Sequence, residues 1–263
     1  MPFSNQVVWI TGASSGIGEH LAYAFANQGA RLILSSRNEQ ELQRVKQNCP
    51  EAAEVMVLPM DVTDYAGMPA LVQRALSRFE TIHILINNAG ISQRSAVKNT
   101  LFEVDKKIME VNFLGTVALT KAVLPSMAAQ KKGQIVVISS VMGKLGTPRR
   151  SAYAASKHAL HGYFDSLRAE IHEQGIKVTI ICPGYVHTNV TINALTADGS
   201  ANNQMAEATR NGMDPGVFAE KALRAIAREK EEILIGGKET LGVYIKRFFP
   251  GLFSRIARGL KVS

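Results

Sequence analysis

The amino-acid sequence predicts an α/β fold, a doubly wound seven-stranded parallel sheet in three layers, followed by a helical tail. Short apolar runs alternate regularly with helical segments, which is the pattern of parallel strands joined by helical crossovers. Glycine and small polar residues follow several of these runs, where sharp strand-to-helix turns are needed. A chain of 263 residues, 46% of them hydrophobic, can form one such domain with a sizeable core. Its ligand is then expected at the carboxyl ends of the strands.

The strands and helices are assigned in chain order. The predicted strands are Gln6 to Ile10, Arg31 to Ser36, Glu54 to Met60, Ile82 to Ile86, Gln134 to Ser139, Lys177 to Cys182 and Glu232 to Ile235. The predicted helices include one ending at Gly29, Glu39 to Cys49, Asp64 to about Arg78, a long helix from a capping box at Thr100-x-x-Glu103 towards Gln130, and one from Asp214-Pro215 to about Lys230. Residues 1–237 are therefore assigned to one domain, with a polar lid at about 189–213, and residues 238–263 to a basic amphipathic tail.

The first predicted strand runs into a glycine-rich segment that opens a helix. Its glycines allow the backbone to turn sharply and to approach a pyrophosphate, which the helix N-terminus attracts. A simple glycine-rich turn is the alternative, but strand, glycines and helix in sequence favour a Rossmann-type dinucleotide site. The predicted contacts are Gly12, Ser14, Ser15, Gly16, Ile17 and Gly18.

The end of the second strand predicts a preference for NADP(H) over NAD(H). An acidic residue there would accept the 2′-hydroxyl of NAD, whereas this chain has Ser36, Arg37 and Asn38. The Arg37 guanidinium could pair with a 2′-phosphate, or it could simply face solvent. Further turns at the same sheet edge are expected beside the cofactor, at Asp61, Val62, Asn88, Ala89, Gly90, Pro183 and Gly184.

Tyr153 and Lys157 lie four residues apart on a predicted helix, so phenol and ammonium share one helix face. The cation can favour the phenolate, and lowering a tyrosine pKa from about 10 to about 7 needs roughly 4 kcal/mol. Ser140, after the fifth strand, can supply a second hydroxyl. On its own the Tyr153–Lys157 pair could be an ordinary helix pair. Asn112, among apolar residues, is either a satisfied core amide or a functional one.

Composition argues against several classes of function. The two cysteines form no disulfide framework, which indicates a reducing cytoplasm, and neither a signal peptide nor a transmembrane helix is expected. The net charge of +8 comes largely from the six Lys or Arg and one Glu that follow Gly237. No basic groove with interleaved aromatic residues is apparent, so nucleic acid is not an expected partner. No metal site is expected.

Several motifs resemble those of the short-chain dehydrogenase/reductase family. They are TGASSGIG, DV, NNAG, the Asn of VNFLGT, SSV, YAASK and PGYVHT, in the family's order and spacing over about residues 6 to 237. More narrowly, NNAGISQR, RSAYAASKHA and PGYVHTNVTINALTADGS resemble membrane-associated reductases related to corticosteroid dehydrogenases and acyl-dihydroxyacetone-phosphate reductases.

The resemblance implies roles for individual residues. Tyr153 would be the general acid of carbonyl reduction, and Lys157 would lower its pKa and hold the nicotinamide ribose. Ser140 would position the substrate oxygen, and Asn112 would anchor a water that relays protons to Lys157. Of the PGYVHT motif, the Val186 backbone and Thr188 would hold the nicotinamide carboxamide.

One departure from the family pattern concerns the cofactor. Many NADP-preferring relatives have a basic residue just before the second motif glycine, where this chain has Ser15. The predicted preference for NADP(H) therefore rests on Arg37.

These features predict an NADP(H)-dependent oxidoreductase that interconverts a carbonyl and a secondary alcohol, as a reductase of a hydrophobic or lipid-like ketone in lipid metabolism. The alternative is a catalytically silent NADP(H)-binding sensor or scaffold. Basic residues flank the catalytic segments and either favour an anionic substrate or are solvated surface charges. They are Arg94, Lys144, Arg149, Arg150 and His187.

Two further surfaces are predicted. Family members pair through long helices, so a homodimer or homotetramer is expected; Leu114, Val117, Leu160, Tyr163, Phe164 and Leu167 either supply that surface or belong to the core. The tail should form two short helices separated at Phe249-Pro250, with apolar residues at helical spacing and interspersed cations that include Lys261. Such helices would lie on an anionic membrane or pack on protein. The expected location is cytoplasmic, with peripheral membrane contact through the tail.

Overall fold

A parallel sheet of seven strands organises the chain in this computed structural model, which describes residues 1–260. The strands are β1 (Val7–Thr11), β2 (Arg31–Ser35), β3 (Val55–Val57), β4 (Ile84–Asn87), β5 (Gly133–Ile138), β6 (Ile176–Pro183) and β7 (Glu232–Ile235). Their order in the sheet is β3-β2-β1-β4-β5-β6-β7, and every neighbouring pair is parallel. The strand order reverses between β1 and β4, which opens a crevice at the carboxyl ends of these strands.

Helices cover both faces of the sheet. They are α1 (Gly16–Ala26), α2 (Glu39–Gln47), α3 (Met68–Phe79), α4 (Phe102–Met109), α5 (Gly115–Gln130), α6 (Ser151–Ile171), α7 (Glu207–Arg210), α8 (Pro215–Ala227), α9 (Leu241–Phe248) and α10 (Pro250–Gly259). Alternate residues of β1 contribute to two separate hydrophobic clusters: Val8 and Ile10 pack with α1, α2 and α8, and Val7 and Trp9 with α3, α5 and α6. The predicted three-layer fold is therefore confirmed.

Two predicted helix starts are wrong, because the side chains expected to cap them are engaged elsewhere. Thr100 donates its hydroxyl to the Ala96 carbonyl at 2.9 Å, and α4 begins at Phe102 without a side-chain cap. Asp64 accepts a hydrogen bond of 3.1 Å from the Gly67 amide in a turn that precedes α3. In both cases a local turn competes with the helix for the capping group.

The helix predicted to run unbroken towards Gln130 is interrupted by a π-helical turn at Glu110–Leu114, which contains Asn112. Such turns shift the register of the residues that follow and are frequent at functional sites. The cap of α8 is as predicted: the Asp214 carboxylate accepts hydrogen bonds from the Gly216 and Val217 amides, at 2.8 and 3.0 Å.

The helical stretch Phe102–Gln130 is long and apolar enough, by length and composition, to cross a membrane. Core helices of soluble proteins satisfy the same criterion. In this protein Ile108, Leu119 and Val123 of the stretch are buried against the rest of the chain. The stretch is therefore weak evidence for a membrane span.

Only part of the surface predicted for pairing between subunits is exposed. Leu160, Phe164 and Leu167 belong to the core, whereas Leu114 is exposed.

The tail forms the two predicted helices, α9 and α10, separated at Phe249-Pro250. Lys261, assigned to the tail from the sequence, lies outside the described residues.

Candidate active site

The carboxyl ends of the strands surround a cleft of about 640 Å³. Its lining includes the predicted positions Gly12, Ser14, Ser15, Gly16, Ile17, Ser36, Arg37, Asn38, Asp61, Val62, Asn88, Ala89, Gly90, Ser140, Tyr153, Lys157, Pro183, Gly184, Val186 and Thr188. Of the predicted site residues, Gly18 and Asn112 do not line it. The segment after β6 contributes further lining residues that the sequence did not single out: Asn189, Val190, Asn193, Leu195 and Ala201.

The loop after β1 needs its glycines for two different reasons. Gly12 and Gly16 have φ angles of +64° and +58°, which other residues rarely adopt. Gly18 instead allows close packing, since a Cβ there would lie 2.3 Å from the Gly12 carbonyl oxygen and 2.6 Å from Asn88 Nδ2. Gly18 therefore lets the helix pack closely against the loop and Asn88, although Gly18 itself does not line the cleft.

The Asn88 side chain joins the ends of β1 and β4. Its Nδ2 donates to the carbonyl oxygens of Thr11, at 2.9 Å, and Gly12, at 3.1 Å. In return the Thr11 hydroxyl oxygen accepts from the amides of Asn88 and Ala89, each at 3.0 Å. These hydrogen bonds tie the two strand ends together and keep the glycine loop beside the Ala89-Gly90 turn.

The end of the cleft at β2 and β3 carries two exposed cations, Arg37 and Lys107. Hydrogen bonds from the Thr63 amide and hydroxyl, at 2.9 and 2.7 Å, hold the pKa of Asp61 below its ordinary value, and the charges of Arg37 and Lys107 act in the same direction. Lys107 was missed from the sequence because nothing in the pattern of α4 distinguishes a lysine that faces the cleft from a solvated one.

The opposite end of the cleft brings together the predicted catalytic residues of β5 and α6. Tyr153 and Ser140 both line this end of the cleft, and the Ser140 side chain acts to lower the pKa of the Tyr153 phenol. Lys157 Nζ lies 5.9 Å and Arg150 Cζ 5.7 Å from the centroid of the Tyr153 ring. Arg150, considered from the sequence only as one of several basic residues, is thus a second cation beside the phenol.

The pKa of Tyr153 does not follow the expected direction. Burial raises the pKa of this phenol above its ordinary value, whereas the Arg150 charge and the hydrogen bond with Ser140 act to lower it. Burial also lowers the pKa of Lys157 to about 8. In the protein alone desolvation therefore outweighs the expected lowering of the Tyr153 pKa by Lys157, and the phenol retains its proton.

Asn112 is a satisfied, fully buried amide. Its Oδ1 accepts from the Ile91 amide at 2.8 Å, and its Nδ2 donates to the Ile91 carbonyl at 2.9 Å and to Ser156 Oγ at 3.0 Å. It lies behind Gly90, where an added Cβ would be 3.2 Å from Asn112 Oδ1 and 3.5 Å from Lys157 Nζ. Asn112 thus fixes the backbone next to Lys157 and does not reach the cleft itself.

The predicted basic set divides into different environments. Arg94 is only 6% exposed, its Nε has no hydrogen-bond partner, and burial together with the charges of Arg150 and Arg149 lowers its pKa to about 10. Arg150 donates to Ser92 Oγ. Lys144, by contrast, pairs with Glu232 at 2.6 Å. Positive charge is therefore concentrated at Arg94, Arg149 and Arg150, of which Arg150 lies beside Tyr153.

The cleft fits a nicotinamide dinucleotide. The glycine loop leaves no room for side chains where a pyrophosphate would approach, cations stand at one end, and the Tyr153–Ser140 pair stands at the other. Within residues 1–260 no cluster of three or more His, Cys, Asp or Glu could hold a metal ion.

Known proteins are similar to this chain in sequence. Residues 6–198 match the short chain dehydrogenase family. Dehydrogenase/reductase SDR family member 7B of Mus musculus is 43% identical over 258 residues, covering 96% of this chain and 80% of that protein. Dehydrogenase/reductase SDR family protein 7-like of Drosophila melanogaster is 44% identical over 261 residues, covering 95% and 80%.

Solved structures agree. A short chain dehydrogenase/reductase from Burkholderia phymatum in complex with NAD has a TM-score of 0.85 and 26% identity, covering 96% of each chain. A metagenomic short-chain oxidoreductase in complex with NADP has a TM-score of 0.74 and 26% identity, covering 89% of this chain and 98% of that one. With the cleft and the Tyr153–Ser140 pair, these likenesses show that the chain belongs to the short-chain dehydrogenase family, oxidoreductases that interconvert alcohols and carbonyls with a nicotinamide dinucleotide.

Proposed function

We propose that this protein is an NADP(H)-dependent reductase of hydrophobic, lipid-like ketones. The observation that carries the proposal is that Tyr153 and Ser140 line the same wall of the dinucleotide cleft, with Lys157 one helical turn further along α6. A proton donor and an oxygen-binding hydroxyl reach the same point, which is what carbonyl reduction requires. A silent sensor or scaffold would have no use for such a pair.

The residues divide the work between proton transfer and orientation. A bound NADPH would supply the hydride for the carbonyl carbon. The Ser140 hydroxyl holds the carbonyl oxygen, and the Tyr153 O–H donates its proton to that oxygen. The raised pKa of Tyr153 keeps this proton in place before reaction, which suits the reductive direction. Lys157 and Arg150 then stabilise the phenolate that remains.

The preference for NADPH is supported by the charges at the adenosine end. Arg37 is exposed there, Lys107 adds a second cation, and residues 36–38 contain no carboxylate that would repel a 2′-phosphate. The one nearby acid, Asp61, is occupied by its hydrogen bonds with Thr63. Because the structural relatives include complexes of both NAD and NADP, the preference is part of our proposal.

The substrate is proposed to carry an anionic group. No carboxylate among residues 1–260 forms an ion pair with Arg94 or Arg150, although Arg94 is buried and its Nε lacks an acceptor. Buried cations normally require a partner. A phosphate or carboxylate on the ketone would supply that partner at Arg150, which lies beside Tyr153, while residues 189–213 would act as a lid over the acyl portion.

Peripheral contact with an anionic membrane is proposed for the tail. Large apolar side chains of α9 and α10 are exposed, among them Phe248 at 69% and Phe249 at 63%, and cations are interspersed with them. Gly242 of α9 packs near Leu145, so the tail contacts the segment that joins Ser140 to the catalytic helix α6. A lipid-borne ketone could then reach the cleft from the membrane.

A homodimer or homotetramer is also proposed. Leu114 of the π-helical turn is exposed, and Val117 and Tyr163 of the neighbouring helices are half-buried, so an apolar strip remains for a second copy. Light scattering that gives a monomer at micromolar concentration would contradict this assembly.

A substrate screen tests the function. Ketones and alcohols, including acylated ketones with and without a phosphate, are assayed with NADPH, NADP⁺ and NADH. Tyr153→Phe should lower turnover by about 100-fold or more, with NADPH affinity nearly unchanged. Tyr163→Phe, the same change ten residues further along α6, should leave turnover unchanged. Activity of Tyr153→Phe within about tenfold of wild type would exclude the proposed acid, and no turnover across the panel would favour the sensor.

A further inference from the structure

The tail contains a carboxylate that the proposed mechanism does not use. Among the described residues after β7, 236–260, Glu239 is the only acid, and five cations share the segment. It lies in the short 3₁₀ turn Lys238–Thr240 that joins β7 to α9. Its side chain points back towards the ends of β6 and β7.

Glu239 holds the backbone of both strand ends. Its Oε1 accepts hydrogen bonds from the amides of Tyr185 and Gly237, each at 2.9 Å. Glycines make room for the carboxylate: an added Cβ would lie 1.8 Å from Oε1 at Gly184 and 2.6 Å from it at Gly236. Hydrogen bonds between a carboxylate and amides are among the stronger ones in proteins.

The Tyr185 peptide belongs to the segment that forms one wall of the cleft. Gly184, Val186 and Thr188 line the cleft on either side of Tyr185. The Tyr185 carbonyl accepts from the Met213 amide at 2.9 Å, and the His187 amide donates to the Met213 carbonyl at 2.9 Å. Residues 184–188 are therefore held between Met213 on one side and Glu239 on the other.

We propose that Glu239 is a positioning residue for the nicotinamide half of the cofactor, acting through the Tyr185 amide. The proposal rests on the proposed function, because it assigns the catalytic end of the cleft to the nicotinamide. The contacts of Glu239 are confined to residues at the ends of β6 and β7, and none of these residues lines the adenosine end of the cleft. Its loss should therefore affect one half of the cofactor.

The adenosine half of the cofactor provides the internal comparison. Residues 36–38 and Asp61 line the other end of the cleft, and none of them contacts Glu239. A ligand that fills only that end should not detect a change at Glu239. NADPH, which fills both ends, should bind less tightly once the Tyr185 amide loses its carboxylate acceptor.

The test compares two ligands on the full chain. Adenosine 2′,5′-bisphosphate represents the adenosine half, and NADPH the whole cofactor, with both dissociation constants measured by calorimetry. Glu239→Ala should weaken NADPH binding about tenfold, equivalent to about 1.4 kcal/mol, and change bisphosphate binding less than about twofold. Glu239→Gln, which retains an acceptor oxygen, should recover most of the NADPH affinity. Glu220→Ala, an exposed acid on α8, is the matched control and should change neither constant.

Several results would overturn the assignment. Unchanged NADPH affinity in Glu239→Ala would do so, as would equal losses for both ligands, which would indicate a general structural role. If Glu239→Ala does not fold, Glu239→Asp replaces it: the charge stays but the side chain is one methylene shorter, and the same selective loss is expected. Should the wild type prefer NADH, the pair NADH and 5′-ADP tests the same point, so an error in cofactor preference is distinguished from an error about Glu239.

Discussion

The Lys157 ammonium donates a hydrogen bond of 2.8 Å to the Ile138 carbonyl, joining the catalytic helix α6 to the end of β5. Within residues 1–260 this is the only hydrogen bond that the ammonium makes. One neutral acceptor compensates poorly for burying a charge, and burial accordingly lowers the pKa of Lys157 to about 8. The same contact keeps Lys157 beside Tyr153, and burial of its charge lowers the free energy of unfolding of the protein.

The first prediction is that Lys157 makes stability depend on pH in the alkaline range. Its folded pKa is about 8 and its ordinary value is 10.5, so the unfolded chain binds more protons between these values. Stability should therefore rise with pH from 8 to 10.5, by about 2 to 3 kcal/mol. Urea unfolding at pH 7 and pH 10 should show this rise in wild type relative to Lys157→Met. The exposed Lys177→Met should show no such difference, and a pH-independent gap between wild type and Lys157→Met would contradict the prediction.

The second prediction contrasts two helical glycines. Gly18→Ala places a Cβ 2.3 Å from the Gly12 carbonyl oxygen, so the cofactor loop must move; we expect a loss of about 1 to 3 kcal/mol in stability and a large loss of NADPH affinity. Gly162→Ala, on α6, meets open space and should increase stability by about 0.5 to 1 kcal/mol through helix propensity. Urea unfolding and calorimetric NADPH titration measure both effects. A Gly18→Ala protein as stable as wild type would show that the loop can adjust without cost.

The sequence predicted the cleft lining better than it predicted the ends of the helices. The apolar runs, their order and the turns that follow them determine which residues reach the carboxyl edge of the sheet, so the cleft lining was predictable. Helix starts at Thr100 and Asp64 were not, because each side chain forms a competing local turn. Asn112, in the π-helical turn, forms hydrogen bonds with Ile91 and Ser156, which are distant in the chain, and no local pattern encodes such contacts.

Electrostatics at the site was less predictable than its geometry. The i, i+4 spacing correctly brings Tyr153 and Lys157 together, but spacing carries no information about desolvation, which sets the direction of both pKa shifts. Likewise Arg150 and Lys144 look alike in the sequence. Only the fold shows that Arg150 stands beside Tyr153 and that Lys144 pairs with Glu232.

The third prediction concerns cofactor preference. Arg37→Ala should weaken NADPH binding by about tenfold or more and NADH binding by less than about twofold, because only NADPH has a 2′-phosphate for the guanidinium. Calorimetric titrations with both cofactors measure this. Arg74→Ala removes the same charge from the exposed surface of α3, away from the cleft, and serves as the control. Equal losses for the two cofactors would show that Arg37 is not the phosphate partner.

The last prediction concerns the apolar side chains of α9 and α10. Leu241, Tyr244, Phe248, Phe249, Leu252, Ile256 and Leu260 are 42 to 69% exposed. The acid of this segment, Glu239, is turned inwards onto backbone amides, so the charged side chains offered to a membrane are cations. Phe253 is instead buried, with Lys246 Nζ 5.8 Å from its ring centroid, and holds the two helices together.

We therefore expect flotation with anionic vesicles and little flotation with neutral ones, since each Lys or Arg near an anionic surface adds about 1 kcal/mol to apolar insertion. Phe248→Ser/Phe249→Ser should abolish flotation by removing two inserted rings, and Arg255→Glu/Arg258→Glu should abolish it by reversing the charge. The controls change equivalent groups elsewhere: Phe102→Ser, 75% exposed on α4, and Arg224→Glu/Arg228→Glu on and after α8. These should float like wild type. If the tail variants and the controls float equally, α9 and α10 do not bind the membrane, and their exposed apolar side chains then belong to a contact with protein.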